Sequence, residues 1–201
     1  MPTIKEIAKA CNVSVATVSN IINHKGSVGD ATRERVEQVI REMNYTPNYV
    51  AKNLKTKNTR SIGVIAEDMT VFALPDIIDG ITEYCEEEDY QILLVNLRLY
   101  KKFQDNYYRD NRHKEIVRQE IQKLLAKQVE GIIYVAAHER LINIIPEDLP
   151  IPTVVAYGFT GSEKIPSVVV KDIKGAYDLV SYIVSKGHKK IGVIAGKKES
   201  I

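Results

Sequence analysis

The spacing of apolar residues changes near Ser61, and this change constrains the fold more than any other feature of the sequence. Before it, apolar residues recur every three or four positions, which is typical of helices that bury one face. After it, short apolar runs such as Ser61–Ala66 (SIGVIA) and Gln91–Val95 (QILLV) alternate with helical stretches. Such alternation predicts parallel strands joined by helices. The sequence therefore predicts an all-α region followed by an α/β region with a doubly wound parallel sheet.

The α/β region is expected to bind ligands at one edge of its sheet. Four further runs are predicted as strands: Gly131–Val135, Thr153–Ala156, Val168–Val170 and Lys190–Ala195. Helices are predicted from about Pro75 to Glu88, over residues 112–127 and near Gly175–Lys186. In doubly wound sheets, ligands bind beyond the carboxyl ends of the strands. The segments that follow the strands are therefore the candidates for ligand contact.

The first 45 residues predict three helices, of which the first two are joined by a very tight turn. Thr3 and Glu6 have the spacing of a capping box at the start of the first helix. Ser14 is a good N-cap for the second helix, and the third is predicted from about Asp30 to Asn44. Its inward-facing residues are predicted to be Val36, Val39, Ile40 and Met43. A helix pair joined so tightly is typical of the motif that lays its second helix in the DNA major groove. An ordinary three-helix bundle is the alternative.

The start of the second helix carries short side chains that suit the surface of DNA. Val15 and Ala16 can touch thymine methyl groups, and Asn20 can form two hydrogen bonds with adenine. The side chains that could hold phosphates, and so fix the register, are those of Ser14, Thr17 and Lys25.

Basic residues are concentrated at the amino-terminal end of the chain. Residues 1–60 contain ten Lys and Arg against five Asp and Glu, whereas the other 141 residues contain 18 against 21. A basic region joined to a mildly acidic one is what a DNA-binding module attached to a regulatory domain needs. On charge alone, a solvated basic face explains this distribution equally well.

A resemblance to the LacI family of repressors is carried by two stretches of the sequence, TIKEIAKACNVSVATVSNIIN and TRERVEQVIREMNYTPNYVAKNLKTKNTRSIGVI. The likeness runs from Thr3 to Ile65 and includes the motifs VSxxTVS, NYxPN and A-x-x-L-K in that order. The resemblance implies a sequence-specific transcriptional regulator, a repressor, that binds a near-palindromic operator in double-stranded DNA as a homodimer. A small-molecule effector, sugar-like or another small metabolite, would modulate this binding.

The resemblance also implies a hinge helix over residues 48–56 that folds only on DNA. A helix this short is not stable alone in water. Leu54 would wedge between base pairs in the minor groove, where the two hinge helices of a dimer kink the duplex; a plain core residue of a linker is the alternative. The residues assigned to DNA contact are Thr3, Ser14, Val15, Ala16, Thr17, Asn20, Lys25, Tyr45, Asn48, Ala51, Leu54 and Lys55.

Four segments follow from the resemblance. They are a helix-turn-helix domain at 1–46, a hinge helix and linker at 47–60, the amino-terminal subdomain of an effector domain of periplasmic-binding-protein type at 61–170, and the start of a second subdomain at 171–201. Because relatives are longer, the sheet is expected to be incomplete at its carboxyl-terminal end, in a truncated product or a fragment.

The sequence departs from the family at several expected contact positions. Asn20 stands where many relatives have a basic residue, which predicts a different base preference at one operator position. Relatives usually have Asn at the place of Val71 and aromatic residues nearby. Here Phe72 is aromatic one position early, and a core role suits it as well as ligand contact. Lys171 stands where relatives often have Asp. The residues assigned to effector contact are Asp68, Phe72, Tyr157 and Lys171.

The segment Leu97–Arg112 is rich in Tyr, Lys and Asn. It is either a solvated loop or an interaction arm.

No catalytic, metal or cofactor site is expected. Gly192–Lys197 lacks the spacing of a phosphate-binding loop, the four histidines are dispersed, and the two cysteines stand alone. The amino-terminal end does not resemble a signal peptide, and no apolar run is long enough to span a membrane, so a cytoplasmic protein without membrane contact is expected. The alternative functions are a small-molecule (sugar-like) binding protein without DNA function, a truncated regulator that does not sense ligand, and an enzyme.

Overall fold

The change of periodicity near Ser61 corresponds to a division of the chain into two compact units. In the computed structural model, these units are Met1–Lys57 and Asn58–Ile201. The structure describes residues 2–23, 25–45, 59–71, 73–104 and 112–194. We call residues 2–45 the helical unit and residues 59–194 the sheet unit.

The helical unit contains the three predicted helices: α1 (Ile4–Ala10), α2 (Val15–Ile22) and α3 (Asp30–Glu42). Thr3 caps α1 as predicted, because its hydroxyl accepts a hydrogen bond from the Glu6 backbone N–H while the Glu6 carboxylate accepts one from the Thr3 N–H at 2.7 Å. The fully buried side chains of the unit are Ile7, Ala8, Cys11, Val18, Ile21 and Val36. These six residues come from all three helices and the α1–α2 turn, so one small core holds the unit together.

The prediction that Met43 faces inward is wrong. The third helix ends at Glu42 rather than near Asn44, and Met43 is 37% exposed. Asn44 has a left-handed backbone (φ 46°) that turns the chain back, and the Tyr45 N–H donates to the Ile40 carbonyl at 3.0 Å. Tyr45 is therefore the residue that packs against the core after the helix.

The sheet unit is built on a parallel sheet, as predicted. Its strands are β1 (Ser61–Ala66), β2 (Gln91–Asn96), β3 (Gly131–Val135), β4 (Thr153–Ala156) and β5 (Ser167–Val168). They lie in the order β2-β1-β3-β4-β5, and every neighbouring pair is parallel. The chain therefore reverses its direction of progress across the sheet after β2, and β1 becomes an inner strand.

Helices α4 (Leu74–Glu87) and α6 (Lys114–Ala126) cover opposite faces of this sheet. The other helices of the unit are α5 (Leu99–Phe103) and α7 (Asp172–Ser185). Because side chains alternate along a strand, Val64 packs with Ile78 of α4 while Ile65 packs with Leu124 of α6. The prediction of a doubly wound sheet is thereby confirmed for β1 to β3.

Two predictions at the carboxyl-terminal end are wrong. Residues 190–194 lie outside any strand, although Lys190–Ala195 was predicted as one, and β5 ends at Val168 rather than Val170. An apolar run becomes a strand only where a neighbour completes its hydrogen bonds, and within the described ranges residues 190–194 have none. Helix α7 forms where a helix was predicted, but it has no buried residue.

The first part of the segment Leu97–Arg112 belongs to the core rather than to a solvated loop. Leu97 and Leu99 are buried, and α5 begins at Leu99. Residues 105–111 lie outside the described residues, so the alternative of an interaction arm stays open there. Among the helices that the structure describes, none has the length and apolar character needed to cross a lipid bilayer.

Candidate functional site

Helix α2 is fixed at its start by a cap and along one side by the core. The Ser14 hydroxyl accepts a hydrogen bond from the Thr17 N–H at 3.0 Å, as predicted for an N-cap. Val18 and Ile21 are almost completely buried. Because these two side chains hold one side of α2 against the core, the opposite side is presented to solvent in a defined orientation.

The three predicted base-reading residues share this exposed side. Val15 is 41% exposed, and Ala16 and Asn20 are also exposed. The Asn20 side chain lies beside Gly26, whose positive φ of 73° turns the chain after α2. This surface offers two apolar side chains and one amide, which are the groups that can touch thymine methyls and pair with adenine.

The predicted phosphate-contacting residues lie around the ends of α2. The hydroxyl groups of Ser14 and Thr17 are 2.9 Å apart, and Lys25 is exposed just after the helix. Thr3 is exposed at the start of α1, where its hydrogen bonds hold the pKa of Glu6 below its usual value. Tyr45, in contrast, is half buried against the helical core.

Four of the predicted DNA contacts, Asn48, Ala51, Leu54 and Lys55, lie outside the described residues, as does Phe72. The hinge helix over residues 48–56 and the role of Leu54 therefore stay predictions.

The predicted effector residues follow the carboxyl ends of strands, but Asp68 is already engaged. Its side chain accepts hydrogen bonds from the Thr70 N–H at 3.0 Å and hydroxyl at 2.6 Å, and from the Tyr100 N–H at 3.0 Å. Burial by itself raises the pKa of Asp68, but these hydrogen bonds outweigh it and lower the pKa. Asp68 therefore ties the loop after β1 to the start of α5.

Tyr157 is partly buried, whereas Lys171 is exposed to solvent. Tyr157 follows β4 with a left-handed backbone (φ 55°) and donates its N–H to the Val168 carbonyl at 2.9 Å. Its side chain is partly buried on the face of the sheet that α4 covers. Lys171 is exposed at the position before α7. Their assignment to effector contact stays a prediction.

Glu67 forms a buried ion pair that sequence reasoning missed. Its side chain is fully buried, and its carboxylate accepts two bonds from Arg140, at 2.5 and 3.0 Å. The Tyr134 hydroxyl and the Ala137 N–H also donate to it, at 2.6 and 2.8 Å. Burial by itself raises the pKa of Glu67, but the Arg140 charge and these hydrogen bonds hold it below its usual value.

This ion pair fixes the loop after β3 at the edge of the sheet formed by the carboxyl ends of β1 and β3. Arg140 also holds Phe159 through its carbonyl, which accepts the Phe159 N–H at 3.0 Å. The sequence contains no local signal of this ion pair, because Glu67 and Arg140 are 73 positions apart. Within the described residues, no group of three or more His, Cys, Asp or Glu side chains could hold a metal ion.

Comparison with known proteins finds similarity in both parts of the chain. Residues 3–48 match the family described as bacterial regulatory proteins, lacI family. Over 201 residues the chain is 32% identical to the HTH-type transcriptional regulator RegA of Clostridium saccharobutylicum, covering 99% of this chain and 56% of RegA. It is 31% identical to the HTH-type transcriptional repressor PurR of Vibrio atlanticus (strain LGP32), covering 98% of this chain and 55% of PurR.

The fold is also similar to that of a solved structure. The lac repressor dimer bound to operator and the anti-inducer ONPF superposes with a TM-score of 0.77 at 24% identity, over 99% of this chain and 57% of that chain. The predicted fold class, a helix-turn-helix region followed by a sheet of periplasmic-binding-protein type, is thereby confirmed. The chain spans little more than half the length of these proteins. Residues 3–48 thus form a region of the lacI family of bacterial regulatory proteins, and the chain along its length is similar to longer transcriptional regulators.

Proposed function

We propose that this chain is the DNA-binding and amino-terminal sensing part of a sequence-specific transcriptional repressor. The observation that carries the proposal is the exposed side of α2, where Val15, Ala16 and Asn20 stand on a helix that the core fixes from behind. Exposed short side chains on a rigid helix allow the backbone to approach the edges of bases.

In this proposal α2 lies in the major groove. Val15 and Ala16 touch thymine methyl groups, and Asn20 pairs with adenine. Ser14, Thr17 and Lys25 would contact the phosphate backbone, which fixes the register. Thr3 and Tyr45 are also proposed to contact the DNA. Asn48, Ala51, Leu54 and Lys55 would belong to a hinge segment in the minor groove. Two copies of the chain would bind the two halves of a near-palindromic operator, because each helical unit reads only a few base pairs.

The sheet unit would respond to a small sugar-like molecule or another small metabolite at the carboxyl ends of its strands. Asp68, Phe72, Tyr157 and Lys171 are the proposed contacts. The segments would run as 1–46 for DNA binding, 47–60 for the hinge and linker, 61–170 for the first subdomain and 171–201 for the start of the second. We infer a cytoplasmic regulator that is not an enzyme, because its relatives are named as transcriptional regulators.

Selection of bound duplexes from a random DNA library tests the proposal. We expect a near-palindromic sequence with adenine at the position that Asn20 reads, and binding that weakens steeply as salt rises. Asn20→Ala should lose about 1–3 kcal/mol of discrimination at that one position. Ser27→Ala, in the exposed loop that follows α2, is the matched control. A preference for guanine at that position would contradict the role of Asn20, and the selection of no sequence would contradict the function.

A further inference from the structure

The point where the chain enters β1 is held by a group of contacts that the proposed function does not use. We call this group the linker clasp; it consists of Thr59, Arg60, Tyr90, Glu130 and the backbone carbonyls of residues 88, 89 and 128. All of these residues belong to the sheet unit. They meet at the amino ends of β1, β2 and β3, which is the edge of the sheet opposite the proposed ligand edge.

Glu130 is the centre of the clasp. One carboxylate oxygen accepts the Arg60 backbone N–H at 2.7 Å, and the other accepts the Tyr90 hydroxyl at 3.1 Å. The hydrogen bond to Glu130 raises the pKa of Tyr90. Beside it, the Thr59 hydroxyl donates to the Gln128 carbonyl at 2.7 Å and accepts from the Ser61 hydroxyl at 2.9 Å.

Arg60 is held from its backbone and from its side chain. Its guanidinium donates to the carbonyls of Asp89, at 2.8 Å, and Glu88, and lies 4.8 Å from the centre of the Tyr90 ring. Its carbonyl accepts the Gln91 N–H at 2.8 Å. Arg60 has a left-handed backbone (φ 44°), which is unfavourable for a residue with a side chain. The surrounding contacts therefore hold the chain in a conformation that it would not keep alone.

We propose that the linker clasp sets the affinity for operator DNA by fixing the end of the linker that precedes β1. The inference rests on the proposed function, in which residues 47–60 join the DNA-binding helices to the sheet unit. Any linker residue that takes up a fixed conformation only on DNA weakens binding, because fixing the backbone of one residue costs a factor of about 5 to 30 in an equilibrium constant. A clasp that holds Thr59 and Arg60 in advance removes part of that cost.

A variant that lacks the Glu130 carboxylate distinguishes the clasp from a long-range effect of charge on DNA affinity. Glu130→Ala removes a negative charge, so long-range attraction to DNA should become stronger. Loss of the clasp should instead make operator binding about five- to tenfold weaker. Because the two explanations predict opposite changes in DNA affinity, one affinity measurement decides between them.

The experiment measures the affinity of the full chain for the duplex that it selects from a random library. Glu130→Ala is compared with Glu120→Ala, which removes a carboxylate that pairs with Lys123 on α6, away from the clasp. We expect weaker binding only for Glu130→Ala, together with faster hydrogen exchange of the Arg60 amide. Affinity equal to or above that of the wild type, or an unchanged exchange rate at Arg60, would overturn the inference.

Tyr90→Phe keeps the test decisive if Glu130→Ala lowers the melting temperature of the sheet unit. This change removes one hydrogen bond to Glu130 and retains the ring beneath Arg60, so about twofold weaker binding is expected; no change would overturn the inference. If the wild-type chain selects a sequence and the clasp variants bind it normally, the inference fails and the proposed function stands. If the wild-type chain selects no sequence, both fail.

Discussion

The helical unit and the sheet unit satisfy their polar groups over very different distances along the chain. In the helical unit, Thr3 binds Glu6 and Ser14 binds Thr17, each three residues away at an exposed helix end. In the sheet unit, the fully buried Glu67 depends on Arg140, 73 residues away. Water can replace an exposed cap, but it cannot reach a buried carboxylate. A single polar change should therefore affect the sheet unit much more strongly than the helical unit.

The largest effect is expected from Arg140→Ala. This change leaves the buried carboxylate of Glu67 without its charged partner and should cost the sheet unit about 3–5 kcal/mol. Urea unfolding followed by circular dichroism measures the loss, and amide exchange at Ala137 reports it locally. The control is Lys123→Ala, which breaks an exposed ion pair worth about 0–1 kcal/mol. A loss for Arg140→Ala no larger than that of the control would remove the contrast between the units.

The pH dependence of the same variant sharpens the comparison. Because the folded-state pKa of Glu67 lies below its unfolded value, its contribution to stability is present above the unfolded pKa and is lost as pH falls through the folded pKa. Without Arg140, burial dominates and raises the pKa of Glu67, so protonation favours the folded variant. The difference in stability between wild type and Arg140→Ala should therefore shrink on acidification from neutral pH. A constant difference across a pH series of urea titrations would contradict this account.

Gly63→Ala should have an intermediate effect, because it tests the packing of β1 against α6. A Cβ atom at residue 63 would lie 2.7 Å from a terminal methyl carbon of Leu124, which is itself buried. Overpacking of this kind costs about 1–3 kcal/mol. Gly80→Ala is the matched control, since a Cβ atom on this exposed part of α4 meets nothing within 4 Å and should stabilise the helix by up to ~1 kcal/mol. Equal melting temperatures for the two variants would count against a tightly packed sheet unit.

The smallest effect is expected from Ser14→Ala in the helical unit. It removes the side-chain cap of α2 and should cost about 1 kcal/mol. Thermal unfolding measures this loss of stability, and amide exchange in α2 measures it locally. The exposed Ser27→Ala variant is the control. A loss larger than that of Arg140→Ala would reverse the comparison between the two units.

The same difference in distance explains which features could be predicted from the sequence. The caps at Thr3 and Ser14 were predictable because each involves neighbours along one helix. The strands β1 to β4 were predictable because each forms a continuous apolar run, as is typical of parallel sheets, although β2 at the edge of the sheet is only partly buried. The packing of Tyr45 in place of Met43 depends on a chain reversal at Asn44, and the strand predicted over Lys190–Ala195 lacked a paired neighbour.

The residues of the candidate site also differ in how far their environment could be predicted from the local sequence. The exposure of Val15, Ala16 and Asn20 followed from the periodicity of a single helix. Asp68 accepts hydrogen bonds both from Thr70, two residues away, and from the Tyr100 N–H, 32 residues away, and the second contact has no local pattern in the sequence. Charge complementarity between Glu67 and Arg140 carries no information about pairing until the sheet brings β1 and β3 together.

Because β1 lies between β2 and β3, the sheet can be completed only some time after the helical unit has been synthesised. All six buried core residues of the helical unit have been synthesised once the ribosome has passed Val36, and its last packed side chain is Tyr45. The β1–β3 ladder, in contrast, cannot be completed before Val135 is added. At about 5–20 residues per second, these 90 residues take roughly 5–20 s. During each round of translation, the helices proposed to bind DNA therefore precede by several seconds the sheet proposed to regulate them.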